Sequence, residues 1–442
     1  MKARNLIVIF VLLAMALAAC QPAATPTQPP AQATATTAPA EPTATTAPAE
    51  PTATTAPAEP TATTAAAGEP EVCGTDEFGC AVIEPGQTIK IGMGAPMTGD
   101  NAQFGVDISQ GAKIAVKDAG ELEGFAFELV TEDDGGTPEG GAAVANKLVS
   151  DPTVVAIAGH IFSGATDAAM PIYEKAGIPM MSPSATNPAL TQKGSKVFNR
   201  VAFTDAAQGK FAAEYLYNKL GFTKIAVMHD GQAYGQGLAE VVEARFKELG
   251  GEVVAKEAIT PGETDYTAPL SAIAAKSPQA LYYGGYVQEA AVLVPQMAQS
   301  GLEGVVFFGC DGTYGEDFIT KTGAAGEGAY AVALVPASSD AVTKFNEAYQ
   351  AEYGVAPGSL SPFTWNAYDS AAVLIAAIKS VAVKGGDGKL YIPRGALVAA
   401  VRGTKDYQGL SGTLSCDANG ECNASGPIFY VVKDGKWVPA EE

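Results

Sequence analysis

From Ile89 to about Val335, short apolar, β-rich runs alternate with longer stretches whose apolar residues recur at helical spacing. The runs Ile89 to Pro96, Phe125 to Thr131, Val154 to Gly159, Lys224 to His229, Ala280 to Gly284 and Val305 to Gly309 read as strands. The stretches Phe104 to Ala119, Pro138 to Ser150, Thr166 to Ala176, Asp205 to Leu220, Gly235 to Leu249 and Gln288 to Ser300 read as helices. Strand followed by helix at this spacing predicts right-handed βαβ crossovers and parallel sheets covered on both faces. The fold class expected is α/β, with two doubly wound parallel-sheet lobes. Ligands in such sheets bind beyond the carboxyl ends of the strands. Polar and aromatic clusters fall at those ends: Met97-Thr98-Gly99 with Phe104, Gly159 to Ser163, Ser182 to Thr186, His229-Asp230 with Tyr234, Tyr282 to Tyr286, and Gly309 to Gly312.

The pattern changes at the N-terminus. Lys2 and Arg4 precede an apolar run from Leu6 to Leu17, and Ala18-Ala19-Cys20 follows. This is the layout of a secretory signal, and the cysteine makes it resemble a bacterial lipoprotein signal, with residues 1–19 removed and Cys20 lipidated. The alternatives are an ordinary signal cleaved near Ala19, or a short membrane anchor. The run is shorter than the roughly 20 residues of a spanning helix. Residues 20–70 are nearly all Pro, Ala, Thr, Glu and Gln, and the unit Pro-Thr-Ala-Thr-Thr-Ala-Pro-Ala-Glu recurs from Pro42 and Pro51. With few large apolar groups, this segment is expected to be a disordered tether.

The remaining length exceeds one ordinary core and predicts two domains. A net charge of −21 argues against nucleic acid and against electrostatic docking to anionic lipid. Beyond Cys20, Cys73 and Cys80 bracket one short loop in the segment 71–87, and Cys416 and Cys422 bracket another, while Cys310 stands alone. Outside the cytoplasm the two close pairs are candidate disulfides, with crossed pairing among the four left open. Two histidines and no Cys-x-x-Cys argue against a metal site, and no cofactor motif is present. Glu132-Asp133-Asp134 reads as a solvated loop, and Asp417 to Glu421 as a β-turn between C-terminal strands. Ser163, His160 and Asp230 could be imagined as a hydrolytic triad, but no Gly-x-Ser-x-Gly elbow surrounds any serine, so an enzyme is not expected.

Ile89-Lys90-Ile91-Gly92, Val144 to Leu148, Gly159-His160, Ser182 to Thr186, His229-Asp230 through Tyr234 to Gly237, and Tyr282 to Tyr286 together resemble the leucine/isoleucine/valine-binding proteins. These are the type I periplasmic receptors of branched-chain amino acid ABC transporters, and the likeness runs from about Thr88 to the C-terminus. It implies lobes of 88–205 plus 337–422 and 206–336 plus 423–442, joined by a three-strand hinge near Ala206, Pro336 and Asn423. It implies that Ser163 and Thr186, with backbone amides, hold a ligand carboxylate. Asp311, helped by the Ser184 carbonyl, would receive the ammonium, and Asp311 is one methylene shorter than the family's usual Glu. Tyr234, Tyr286, Phe104 and Phe363 would wall the side chain. The family's first-lobe disulfide is missing, because Phe162 and the region of Gly136 stand where its cysteines would fall. The function implied is capture of an aliphatic amino acid by a lipid-anchored, extracytoplasmic monomer, without cofactor, which passes it to a membrane permease. Receptors for short amides, urea or other amino acids share the fold, and so do ligand-presenting sensor subunits.

Overall fold

The computed structural model describes residues 68–422 and 426–440. The signal, Cys20, the tether up to residue 67 and the crossing expected near Asn423 lie outside the described residues. The first described elements are Glu71–Thr75 (α1) and Cys80–Ile83 (β1), joined by a Cys73–Cys80 disulfide. Then come Ile89–Ala95 (β2), Ala102–Ala119 (α2), Glu121–Leu122 (β3), Phe125–Asp133 (β4), Pro138–Ser150 (α3), Val154–Ile157 (β5), Ser163–Ala176 (α4), Met180–Ser182 (β6), Ala189–Gln192 (α5) and Phe198–Arg200 (β7). Strands β3-β4-β2-β5-β6-β7 form one sheet, parallel except for the β3 edge. Every residue of β5 is buried, which fits a strand covered on both faces.

Local chemistry starts and stops these helices. Thr137 caps α3, its hydroxyl accepting the Gly140 N–H at 3.1 Å, and Pro138 occupies the first turn. Helix α4 ends at Gly177 in the left-handed region (φ 63°), where a Cβ would also strike Phe78.

The chain next leaves this sheet for a second. Asp205–Glu214 (α6) is capped by Thr204 and continues into a π-helical turn, Tyr215–Lys219. Lys224–His229 (β8), Ala233–Glu248 (α7), Glu252–Ala258 (β9), Thr267–Ala274 (α8), Ala280–Gly284 (β10), Val287–Met297 (α9), Val306–Phe308 (β11), Glu316–Thr322 (α10) and Tyr330–Ala333 (β12) follow. Asp340–Tyr353 (α11) and Thr364–Val381 (α12) return to the first sheet, and α12 packs on α2. Val383–Lys384 (β13) and Leu390–Pro393 (β14) form a small sheet with β1; Arg394–Arg402 (α13), Tyr407–Gln408 (β15) and Thr413–Leu414 (β16) come next. Ile428–Lys433 (β17) and Lys436–Pro439 (β18) end the described chain.

The second sheet has the order β18-β17-β12-β11-β10-β8-β9. Its β9 to β12 part is parallel, as expected, and β17 and β18 add antiparallel strands at one edge. The return of β18 is local. Asp434 and Gly435 both adopt positive φ (52° and 67°), a turn that folds β18 straight back on β17 and leaves no room for a crossover.

The second disulfide joins Cys416 to Cys422 around a turn at Asp417–Gly420, and Cys310 is a buried free thiol. The turn is as expected, but its far side is only an isolated bridge from Glu421 to Arg200 rather than a strand.

Candidate functional site

The carboxyl ends of both sheets face one another across a cleft. Phe104, Ile161, Phe162, Ser163, Ser184 and Phe363 from the first sheet's side, with Tyr234, Tyr286, Asp311 and Gly312 from the second, line a single cavity of about 10 Å³. That is room for about one water molecule. Seven of the eight residues expected at the site meet here, and Thr186 is not among the lining residues. Phe162 stacks on Tyr286 from the opposite sheet, with ring centroids 4.3 Å apart and planes 11° from parallel. Phe104 meets both rings edge-on at 5.7 and 5.9 Å, and Tyr234 lies 5.2 Å from Tyr286. Further contacts join the lobes: Asn187 Nδ2 donates to the Ala233 carbonyl at 2.5 Å, and the Glu316 N–H to the Ser359 carbonyl at 2.8 Å.

The first-sheet side is a scaffold of hydrogen bonds. Ser163 opens α4, so its hydroxyl and the unpaired first-turn amides lie at the positive end of the helix dipole. Ser163 is not the N-cap; that place is Phe162's, and the Ser163 hydroxyl instead accepts the Asn187 N–H at 3.3 Å. Ser184 donates to the Ile161 carbonyl at 2.8 Å and Ser182 to the His160 carbonyl at 2.6 Å, fixing the segment that presents Ile161, Phe162 and Ser163. Beneath it the His160 ring bonds Asp134 through Nδ1 (2.7 Å) and Tyr173 through Nε2 (3.0 Å). Asp134 is therefore buried, which corrects the expectation of a solvated Glu132-Asp133-Asp134 loop: the carboxylate turns inward because the imidazole supplies its partner. The same bonds occupy both ring nitrogens of His160, so neither is offered to Ser163. Gly94 makes room for the ring, since a Cβ there would lie 2.1 Å from it.

The second-sheet side is acidic. Asp311 is 3% exposed, and its Oδ1 accepts from Gln208 Nε2 at 2.6 Å and from the Tyr234 hydroxyl at 2.5 Å. It is not the solvated Asp-Gly turn that the dipeptide alone allows. Burial pushes its carboxyl up to about 6, partly offset by those two donors. Asp205 is fully buried behind it, raised by burial and then by the Asp311 charge. Burial also raises the Tyr234 phenol and the Cys310 thiol, whose S–H donates to the Gly285 carbonyl at 3.2 Å.

Sequence reasoning missed Asp205, Gln208 and Arg200. Arg200 is fully buried, clasping Glu421 with two bonds (2.9 and 2.5 Å) and donating to the carbonyls of Ala185 (2.9 Å) and Asn187 (2.8 Å), which fixes the loop carrying Thr186. The available signal for Arg200 was a cation set between the apolar Phe198 and Val201, which marks a buried charge but not its partner.

This geometry has relatives. The periplasmic binding protein family model matches residues 88–436. The chain belongs to that family. Leu/Ile/Val-binding protein homolog 1 of Brucella suis biovar 1 is 31% identical over 355 residues, covering 78% of this chain and 91% of that protein. An amino acid binding protein of Pseudomonas aeruginosa is 38% identical over 238 residues, and there the match spans 63% of the relative's length. Among solved structures, a leucine binding protein from Thermotoga maritima superposes with a TM-score of 0.73 at 31% identity, over 80% of this chain and 98% of that one. The branched-chain amino acid transporter substrate binding protein of Streptococcus pneumoniae, in complex with isoleucine, gives 0.70 at 31% identity, over 80% and 100%.

Proposed function

We propose that this periplasmic binding protein captures a branched-chain amino acid outside the cytoplasm and delivers it to the permease of an ABC transporter. The observation that carries the reading is the polarity of the cavity: a helix N-terminus with Ser163 on one wall and the buried Asp311 carboxylate on the other, separated by aromatic rings. A zwitterion with an apolar side chain matches that order. Its carboxylate would meet the Ser163 hydroxyl, the first amides of α4 and Thr186, with no buried cation required. Its ammonium would pair with Asp311 and the Ser184 carbonyl, and its side chain would lie among Phe104, Tyr234, Tyr286 and Phe363. Each buried methylene contributes about 0.8 kcal/mol, and a micromolar receptor needs about 8 kcal/mol in total.

Entry requires the lobes 88–205 plus 337–422 and 206–336 plus 423–442 to part, because the cavity between them holds about one water. Bending at the crossings near Ala206, Pro336 and Asn423 would separate Phe162 from Tyr286, and closure around the ligand would then be driven by contacts made only in the closed form. In this reading Cys20 carries the lipid that anchors the protein. Residues 20–70 would then serve as the tether between that lipid and the lobes. Calorimetry with a panel of amino acids tests the proposal. Tight binding of leucine, isoleucine or valine, weakened more than about tenfold by Asp311→Ala, supports it. Binding of short-chain amides that is indifferent to Asp311 overturns it.

A further inference from the structure

We propose that Asp205 serves this cavity as a neutral acid, linking the Thr186 hydroxyl at the carboxylate end to the Gln208–Asp311 pair at the ammonium end. The inference rests on the amino-acid reading above and adds a residue and a protonation state to it. The Asp205 N–H donates to the Thr186 carbonyl at 3.0 Å, which sets the two side chains together. Asp205 Oδ1 accepts from Gln208 Nε2 at 3.2 Å, and that same nitrogen donates to Asp311 Oδ1 at 2.6 Å. Gln208 Oε1 in turn accepts the Asp311 N–H at 3.0 Å, so one amide grips both acids. At the other end, Asp205 Oδ2 and Thr186 Oγ1 are each buried without a partner at hydrogen-bonding geometry, although the two side chains lie close enough to interact.

Two acids on one amide in a dry site do not both ionise readily. Asp311 is the one suited to the charge, since it receives both the Tyr234 O–H and the shorter Gln208 bond. Asp205 receives the longer one, with the Thr186 hydroxyl as a second, neighbouring donor. Its nearest cation, Arg200, is already committed to Glu421 and to backbone carbonyls. The other titratable groups facing the pair are Tyr234, Tyr282, Tyr286 and Cys310, all raised by burial and all protonated near neutrality. A protonated Asp205 resolves both orphans: a small rotation lets its O–H donate to Thr186 Oγ1, and the Thr186 hydrogen, which does not face the shut cavity, is then free to turn toward a ligand carboxylate once the lobes part. Gln208 meanwhile keeps the Asp311 charge turned toward the ammonium. No proton is transferred, and Asp205 holds its own throughout.

The test is calorimetry of L-isoleucine with the full chain at neutral and alkaline pH. Asp205→Asn, whose amide supplies the same donor and acceptor, is expected to stay within about threefold of wild type at neutral pH, and Asp205→Ala to weaken binding by more than roughly tenfold. On the alkaline side the wild type should weaken as Asp205 ionises, by a factor the Asn variant does not share; the loss from the ligand's own ammonium is common to both. An Asn variant as weak as the Ala one, or one that keeps the full alkaline fall, overturns the inference. If Asp205→Ala does not fold, the Asn comparison decides alone. A wild-type chain that binds no branched-chain amino acid at any pH overturns the functional reading itself, and the inference with it.

Discussion

The two walls of the cleft are built by opposite means. On the first-sheet side, Ser163, Ser182, Ser184 and the Asp134–His160–Tyr173 chain form a hydrogen-bonded lattice that fixes backbone and leaves helix amides free. On the second-sheet side, Asp205 and Asp311 share one amide with no cation of their own. The first wall needs little from a ligand, because its donors are dipoles already in place. The second carries the Asp311 carboxylate at a desolvation cost that an ammonium group would relieve. Most of the selectivity for a charged ligand should therefore reside in the second wall, and most of the rigidity in the first.

Asp311→Asn should show the largest effect. Removing the charge while keeping the shape is expected to cost about 3 kcal/mol of binding, roughly a hundredfold in affinity, measured by calorimetry. An effect no larger than that of a first-wall change would erase the contrast. Rigidity is tested by Gly94→Ala, whose methyl group collides with the His160 ring; we expect about 2–3 kcal/mol lost in urea unfolding. Unchanged stability would show that the His160 chain is not under tight packing.

The pH dependence follows from the raised carboxyls. Asp107, held by Tyr349, Ser361 and Thr364, and Asp369, which accepts from Leu410 and Ser411, are also pushed by burial to about 6, as Asp311 is. Their native values lie above the ordinary 3.8, so the folded chain binds more protons than the unfolded one between about pH 4 and 6. These three groups therefore contribute stability that is full below about pH 4 and is lost as pH rises through 6. Ligand affinity should run the other way, falling up to about tenfold per unit as pH drops below 6 and Asp311 takes up its proton. Thermal melts with and without ligand across that window check both signs; parallel curves would remove Asp311 from the ammonium end. The smallest change belongs to the first wall. Ser163→Ala should cost about 1 kcal/mol in binding, because the helix amides remain.

How much of this was legible in the sequence divides along the same lines. Strand ends and their polar clusters are short-range patterns, so Phe104, Ser163, Ser184, Tyr234, Tyr286, Asp311 and Phe363 could be named before any coordinates. Gln208 and Arg200 act on partners 103 and 221 residues away, and no local period or motif marks such pairings. Asp134 was misjudged because three successive acids look solvated until the imidazole packed against one of them is known. The C-terminal hairpin did carry a signal in its Asp434-Gly435 pair, but its strands are short and follow a chain region without strand–helix alternation.

The stacked Phe162 and Tyr286 rings have a consequence for signalling. A ring pair of this kind is worth about 0.5–1.5 kcal/mol, and one ring comes from each lobe, so the lobes attract each other even with no cargo between them. Shutting is thereby partly uncoupled from loading. A permease that recognised the shut shape alone would be engaged by unloaded receptors, and it would have to read something that only cargo supplies.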